Sequence, residues 1–304
     1  MKLKQYIEVI KTNQFFNNKG YTGNFPNPST LEEKPHQHLK IIVEQGELLL
    51  KAFEDPTIME STLGVTPITA DLERICEIFT NDIEQFATKF SELKLIEGLQ
   101  LFAQDRIPSY TLFTLARENL LQNTYEQHID LLNQKSVYNL YSIPFLLRLA
   151  IENKLKAMIG FDSSKAKLSD NQTKISDQFP ALKVINFLKD SDFVKSPLPF
   201  NELKKVYNWS CKFVHTGQKE YIWMSLKATS HLNILFSREH SNYLGESISY
   251  LKDGVTIADL QQAINSSTSF SQPHISKVIE ESIELNLEEY QFDMTNSFWD
   301  NRTE

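Results

Sequence analysis

The sequence is poor in cysteine, glycine and proline, and each shortage excludes a class of protein. Only two cysteines occur in 304 residues, Cys76 and Cys211, and neither lies in a Cys-x-x-Cys or Cys/His ligand pattern. This excludes a disulfide framework and gives no indication of a zinc site. With 9 glycines and 11 prolines, the chain is neither collagen-like nor of low complexity. Its 41% hydrophobic and 23% charged residues are typical of a globular protein.

A long hydrophobic run is also missing. The most apolar segment, residues 143–152, is interrupted by Arg148 well before it reaches the length of a bilayer span. The first residues, Met1-Lys-Leu-Lys-Gln-Tyr, lack the continuous apolar stretch of a signal peptide. We therefore expect a cytoplasmic protein with no membrane association.

Charge is distributed unevenly around a net value of −8. Residues 145–220 carry 13 Lys and Arg against 8 Asp and Glu, whereas residues 245–304 carry 3 against 11. A local excess of lysine is able to hold phosphates at short range even in an acidic protein, because salt screens the more distant charges. The basic middle weakly favours a polyanionic ligand, and solvated helix faces explain it equally well.

Apolar residues recur at helical spacing along almost the whole chain, and this predicts an all-α, multi-helix bundle. We expect a helical N-terminal region (1–135), a central helical bundle (136–240) and a small acidic C-terminal appendage (241–304). The polar stretch 162–178 is predicted to be an exposed loop. The predicted helices span residues 2–16, 37–53, 69–90, 109–132, 136–159, 181–188, 200–214, 219–236, 257–264 and 272–287.

One feature departs from this helical pattern. Lys252-Asp253-Gly254 lies between the apolar stretches 247–251 and 255–257, and Asp-Gly at such a place predicts a β-hairpin in the C-terminal appendage. The acidic end of the chain, with its aromatic residues, is either a segment that docks on a partner or a packed terminal helix.

The sharpest local feature lies in the helix that ends before Gly160. Arg148, Glu152 and Lys156 are four residues apart and form one polar stripe on an otherwise apolar helix. A carboxylate between two cations is able to fix a guanidinium and leave its other donors available for phosphate. The alternative is an ion pair that only orients the helix in its bundle.

A second polar feature ends the helix over residues 200–214. Gly217 is suited to terminate a helix, and a protonated His215 there is favoured by the helix dipole. Asn208, Ser210 and Lys212 add polar groups within two turns of His215. A purely structural interpretation of His215 is as good as a catalytic one.

The Arg-xxx-Glu-xxx-Lys helix, followed some sixty residues later by Ser210-Cys-Lys-Phe-Val-His215-Thr-Gly217, resembles the HEPN-like helical domains of bacterial abortive-infection and toxin-type proteins. The resemblance covers about residues 137–237. Ribonucleases of this family carry an arginine, then four to six residues, then the histidine. Here Tyr207-Asn208 stands near that place, so Arg148 on the other helix would have to supply the cation.

The resemblance implies RNA as the partner and metal-independent RNA cleavage as the activity, in phage defence or a toxin–antitoxin system. His215 would accept a proton, Arg148 would stabilise the charge on phosphate, and Glu152 would orient Arg148. Lys156, Asn208, Ser210 and Lys212 would contact the RNA. The family also implies a homodimer and allows for a regulatory protein partner.

The alternative function is a noncatalytic helical module for protein interaction, which the missing arginine before His215 favours. No cofactor is expected. No metal is expected either, because His36 and His38, two residues apart on a helix, point in different directions.

Overall fold

A computed structural model describes residues 2–16, 34–55, 57–58, 72–96, 107–121, 139–167, 173–176, 178–218, 221–236, 250–270 and 283–289. These residues are mostly helical, which confirms the predicted class in its broad form, but they also contain a small sheet. The elements are α1 (Lys2–Thr12), α2 (His38–Glu54), α3 (Leu72–Lys89), α4 (Ser109–Leu120), α5 (Ile143–Ile159), β1 (Phe161–Lys167), β2 (Thr173–Ser176), α6 (Ala181–Asp190), α7 (Phe200–Thr216), α8 (Ile222–Phe236), α9 (Ile257–Ser266) and β3 (Ile283–Leu287).

The chain divides into two compact units, with the described residues up to 96 in the first and those from 107 onward in the second. Helix α4, which the sequence analysis placed with the N-terminal region, belongs to the second unit. Its Leu112 and Phe113 are buried in the core of that unit, and Phe113 stacks on Phe236 of α8 with ring centroids 4.6 Å apart.

The first unit is built from α1, α2 and α3, which pack on one another through their apolar faces. Leu3, Ile7 and Ile10 of α1 are buried at the spacing of one helix face. Helices α1 and α2 approach closely at Gly46, where a Cβ atom would lie 2.6 Å from Cδ1 of Ile7.

In the second unit, α5 occupies the core and contacts α4, α7, α8 and β1. Its Ile143, Leu147, Ala150, Ile151 and Leu155 are fully buried. As predicted, α5 ends at Gly160, which adopts the left-handed conformation with φ 69° and closes the helix onto the carbonyl of Lys156.

The predicted loop over residues 162–178 was wrong, because strands β1 and β2 lie in it. They form an antiparallel sheet with β3 in the order β2-β1-β3. Ser164, in the middle of β1, is buried, and its hydroxyl donates to the carbonyls of Ser176 and Gln178. The polar sequence of β1 therefore conceals a strand in which a buried serine is satisfied by hydrogen bonds to the chain that follows β2.

The helix predicted over residues 272–287 was wrong at its end, since Ile283–Leu287 is strand β3; residues 271–282 lie outside the described chain. Asn265 of α9 binds this strand with both ends of its amide. Its Nδ2 donates to the carbonyl of Leu285 at 3.1 Å, and its Oδ1 accepts from the Leu285 amide at 2.8 Å.

The predicted hairpin was also wrong. Gly254 forms the expected turn with φ 84°, but Ile257 after it begins helix α9 behind a capping box of Thr256 and Asp259. On the other side of the turn, Leu251 bridges to Val194 rather than to the segment that follows. Residues 247–249 of the predicted first strand lie outside the described chain.

Candidate functional site

Helices α5 and α7 run antiparallel and in contact, and this brings the two polar features of the sequence into one neighbourhood. Phe145 near the start of α5 meets Phe213 near the end of α7, with ring centroids 5.3 Å apart in an edge-on arrangement. Further along, Glu152 of α5 meets Tyr207 of α7. Arg148 lies between these two contacts on the same helix.

Three side chains form a hydrogen-bonded network at this contact. Arg148 Nε donates to Glu152 Oε1 at 3.0 Å, and the Tyr207 hydroxyl donates to the same oxygen at 2.7 Å. The Arg148 guanidinium carbon lies 5.8 Å from the centre of the Tyr207 ring. The predicted ion pair between Arg148 and Glu152 is therefore present, and it also joins the two helices through Tyr207.

Burial and charge fix the protonation states of the network. Burial raises the pKa of the Tyr207 hydroxyl strongly, and its hydrogen bond to Glu152 adds to this effect, so the phenol stays neutral. Burial alone would lower the pKa of Arg148, but the hydrogen bond to Glu152 and the electrostatic attraction of the surrounding groups together outweigh it, and the pKa is raised. The half-buried thiol of Cys211 lies one helical turn beyond Tyr207 on α7.

Arg148 retains donors for a ligand. Its side chain is 27% exposed, and among the described residues only Nε of its guanidinium makes a hydrogen bond. A guanidinium held in this way presents its terminal nitrogens in a fixed plane, the geometry that suits a phosphate.

His215 lies on α7 two turns beyond Tyr207 and is exposed, as are Asn208 and Lys212. Gly217 ends the helix as predicted, with φ 62° and its amide bonded to the carbonyl of Phe213. Within the described part of the chain, no hydrogen bond or ion pair joins His215 to Arg148 or Glu152. Residues 207, 211 and 215 follow one another at four-residue spacing, so His215 is on the side of α7 that carries Tyr207.

The remaining predicted site residues, Lys156 and Ser210, take no part in the network of Arg148, Glu152 and Tyr207. Lys156 lies over the rings of Phe161 and Phe179, with its Nζ 5.9 Å and 5.8 Å from their centres. Ser210 is fully buried and donates to the carbonyl of Tyr207, so its hydroxyl does not line a surface.

The sequence analysis did not identify Tyr207 as a site residue. The four-residue spacing of Tyr207, Cys211 and His215 could have identified it, because residues at this spacing share a helix face. Lys154 was missed as well: it is buried, and its Nζ donates to the hydroxyl of Tyr250 at 2.6 Å. Nothing in the sequence pairs Lys154 with a residue so far along the chain.

A groove lies between α7 and α8, apart from the network around Arg148. It has a volume of about 180 Å³ and a mostly apolar wall that includes Val206, Trp209 and Met224. At its rim, Glu202 accepts from Lys205 at 2.6 Å and lies 3.2 Å from the His231 ring.

Comparison of the chain with protein-family models, curated proteins and solved structures finds no match. In the described part of the chain, no helix is both long and apolar enough to cross a bilayer. The same residues contain no group of three or more His, Cys, Asp or Glu side chains placed to hold a metal ion.

Proposed function

We propose that this protein is a cytoplasmic, HEPN-like RNA-binding protein that cleaves RNA without a metal, as an effector of phage defence or of a toxin–antitoxin system. The observation that carries the proposal is the state of Arg148. It is protonated, partly exposed and held by Glu152 and Tyr207, and no described residue forms a hydrogen bond with its terminal nitrogens. A fixed guanidinium of this kind binds a phosphate more specifically than a mobile lysine does.

The proposed reaction uses the ribose 2′-hydroxyl as the nucleophile. His215 accepts its proton as the general base, the role that histidine takes most often in catalytic proton transfer. The hydroxyl oxygen attacks the adjacent phosphorus, and the bond from phosphorus to the 5′-oxygen of the next nucleotide breaks. The products are a 2′,3′-cyclic phosphate and a 5′-hydroxyl, whose proton comes from water. Arg148 stabilises the charge on the nonbridging oxygens, and Glu152 holds Arg148 in place. Asn208 and Lys212, both exposed on α7, contact the RNA backbone.

The test is cleavage and binding of labelled RNA by the purified full-length protein with a chelator present. His215→Ala is expected to slow cleavage by about 10²- to 10⁴-fold, because the proton acceptor is lost. The matched control is His36→Ala, another exposed histidine, which should leave the rate unchanged. Arg148→Ala is expected to weaken both binding and cleavage, and Arg148→Lys to restore only part, whereas the exposed Arg74→Ala should change neither.

Wild-type protein that neither binds nor cleaves RNA would overturn this proposal. Binding that Arg148→Ala weakens, without any cleavage, would leave an RNA-binding protein and remove the catalytic role of His215.

We also propose that the protein forms a homodimer through the exposed part of α5. Phe145 is 50% and Leu149 is 43% exposed, next to Arg148 on the same helix. Apolar side chains of this size at the centre of a patch are typical of an interface between subunits. Leu149→Glu is expected to shift sedimentation from dimer to monomer. Leu182→Glu, at a leucine of similar exposure on α6, should not.

A noncatalytic protein-interaction module is the second candidate, favoured by the groove between α7 and α8. Its volume suits one bulky apolar side chain of a regulatory partner, and Nε1 of Trp209 is buried without a partner among the described residues. The same experiments separate the two functions. A protein that self-associates through Leu149 but does not bind RNA supports the second candidate.

A further inference from the structure

Two aromatic rings stack on each other at the start of α8 and remain exposed to solvent. The rings of Tyr221 and Trp223 lie with their centroids 4.4 Å apart and their planes within 6° of parallel. Tyr221 is 60% and Trp223 is 59% exposed. Each ring covers one face of the other. The stacking therefore holds both rings in a fixed orientation, and the outer face of the pair is preorganised to receive another flat ring.

This pair is close to the proposed RNA site along the chain. Tyr221 is six positions after His215, and six steps along an extended chain span at most about 22 Å. Lys227 is one turn beyond Trp223 on the same face of α8, and Lys212 lies on α7; both are exposed. Lys227 therefore places a cation that complements a phosphate backbone one helical turn from Trp223.

We infer that Tyr221 and Trp223 form a stacking surface for the unpaired bases of single-stranded RNA. This rests on the proposed function and narrows its substrate class. A base stacks on an aromatic ring regardless of its sequence, whereas bases paired in a duplex are already stacked and do not reach a protein ring. The basic side chains hold the backbone, and the ring pair selects for single strands.

The experiment uses the full-length protein and fluorescence anisotropy. It measures binding of a fluorescein-labelled oligouridine of 12 nucleotides and of a duplex RNA of the same length. Trp223→Ala is expected to weaken binding of the single strand by about 5- to 150-fold, the range found when a stacking side chain is removed. Tyr221→Ala should act in the same direction. Trp223→Phe should restore most of the binding, because phenylalanine keeps a π face.

The matched control is Ile222→Ala, since Ile222 is 45% exposed at the same helix end but has no aromatic ring. It should bind the single strand like the wild type. Oligouridine should also quench part of the tryptophan emission, and Trp223→Phe should remove that quenching while binding persists. Wild-type protein should bind the duplex more weakly than the single strand.

Four results would overturn the inference. If wild-type protein binds RNA and Trp223→Ala binds equally well, stacking is absent although the proposed function stands. If Ile222→Ala weakens binding as much as Trp223→Ala, the helix end acts through apolar area alone. If Trp223→Ala changes only self-association in sedimentation, the rings belong to a protein interface. Wild-type protein that binds no RNA would remove both the inference and the proposed function.

Discussion

Glu152 joins α5 and α7 through a single oxygen atom, which accepts hydrogen bonds from Arg148 and Tyr207. Its side chain is only 19% exposed, so it is partly removed from water and needs these donors. An interhelical hydrogen bond to a carboxylate also fixes the register of the two helices. The same contact thus supports the fold and orients the arginine that we assign to phosphate binding.

Tyr207→Phe tests this contact directly. The substitution removes the hydroxyl that donates to Glu152, and we expect the free energy of unfolding to fall by about 1–2 kcal/mol, near the lower end for a hydrogen bond to a charged group. Urea unfolding followed by circular dichroism measures the change. Tyr110→Phe is the control, because Tyr110 is 41% exposed. Equal stability of the two variants would show that the Tyr207 bond contributes nothing to folding.

At this scale the sequence predicted the pair of Arg148 and Glu152, because four-residue spacing on a helix decides it. It did not predict the contact of Glu152 with Tyr207, which depends on how two helices far apart in the chain meet. Lys156 shows that residue spacing alone does not predict which groups a side chain contacts. It belongs to the same stripe, but its ammonium lies over the rings of Phe161 and Phe179.

Helices α5 and α7 were predictable and strand β1 was not, and the reason is the source of their stability. Helices α5 and α7 bury an apolar face with a regular period and end at glycines in the left-handed conformation, so their sequences carry both signals. Strand β1 is polar, and its formation depends on partners from two other parts of the chain. Strand β3 did carry a signal, because Ile283-Glu-Leu-Asn-Leu287 alternates with period two and buries Leu285 and Leu287.

The contact between α1 and α2 leads to a prediction about Gly46. A new Cβ atom there would lie 2.6 Å from Ile7 Cδ1 and 3.1 Å from Ile7 Cγ1. Gly46→Ala alone therefore forces Ile7 to move, which offsets the gain of about 1 kcal/mol expected from the better helix propensity of alanine. Ile7→Val removes Cδ1, the atom that the new methyl group would strike.

We expect Gly46→Ala to be more favourable in the Ile7→Val background than in the wild type, with a coupling of about 0.5–2 kcal/mol. Thermal or urea unfolding of the wild type, both single variants and the double variant measures it. Additive effects would show that α1 and α2 are not in close contact at Gly46. Gly254→Ala is not a suitable control, since its φ of 84° adds backbone strain.

At the scale of the whole molecule, each unit has its own core. The first is built around residues such as Leu3 and Ile83, the second around Leu147 and Ile151. The sequence-predicted regions had different boundaries because helical periodicity shows that a segment is buried but not against which other segment. The candidate RNA site and the aromatic pair both lie in the second unit.

The first unit contains a carboxylate that links its stability to pH. Burial opposes ionisation of Glu84, but hydrogen bonds from Lys2 and Tyr6 outweigh it and hold the pKa of the carboxyl below its ordinary value of 4.5. A carboxyl whose pKa is lower in the folded than in the unfolded state stabilises the fold above the unfolded value. That contribution is lost as the pH falls from about 4.5 through the folded pKa.

Glu84→Gln is therefore expected to destabilise the first unit at pH 7, with an effect that shrinks as the pH falls below about 4.5. Hydrogen exchange measured by mass spectrometry, with wild type and variant compared at each pH, assigns the effect to peptides. Protection should fall in residues 34–55 and 72–96 and stay unchanged in 139–167, because these segments belong to separate cores. Glu77→Gln, at an exposed carboxylate on the same helix as Glu84, is the control. Equal loss of protection in both units would show that they unfold as one, and a loss that does not depend on pH would show that Glu84 acts through packing rather than charge.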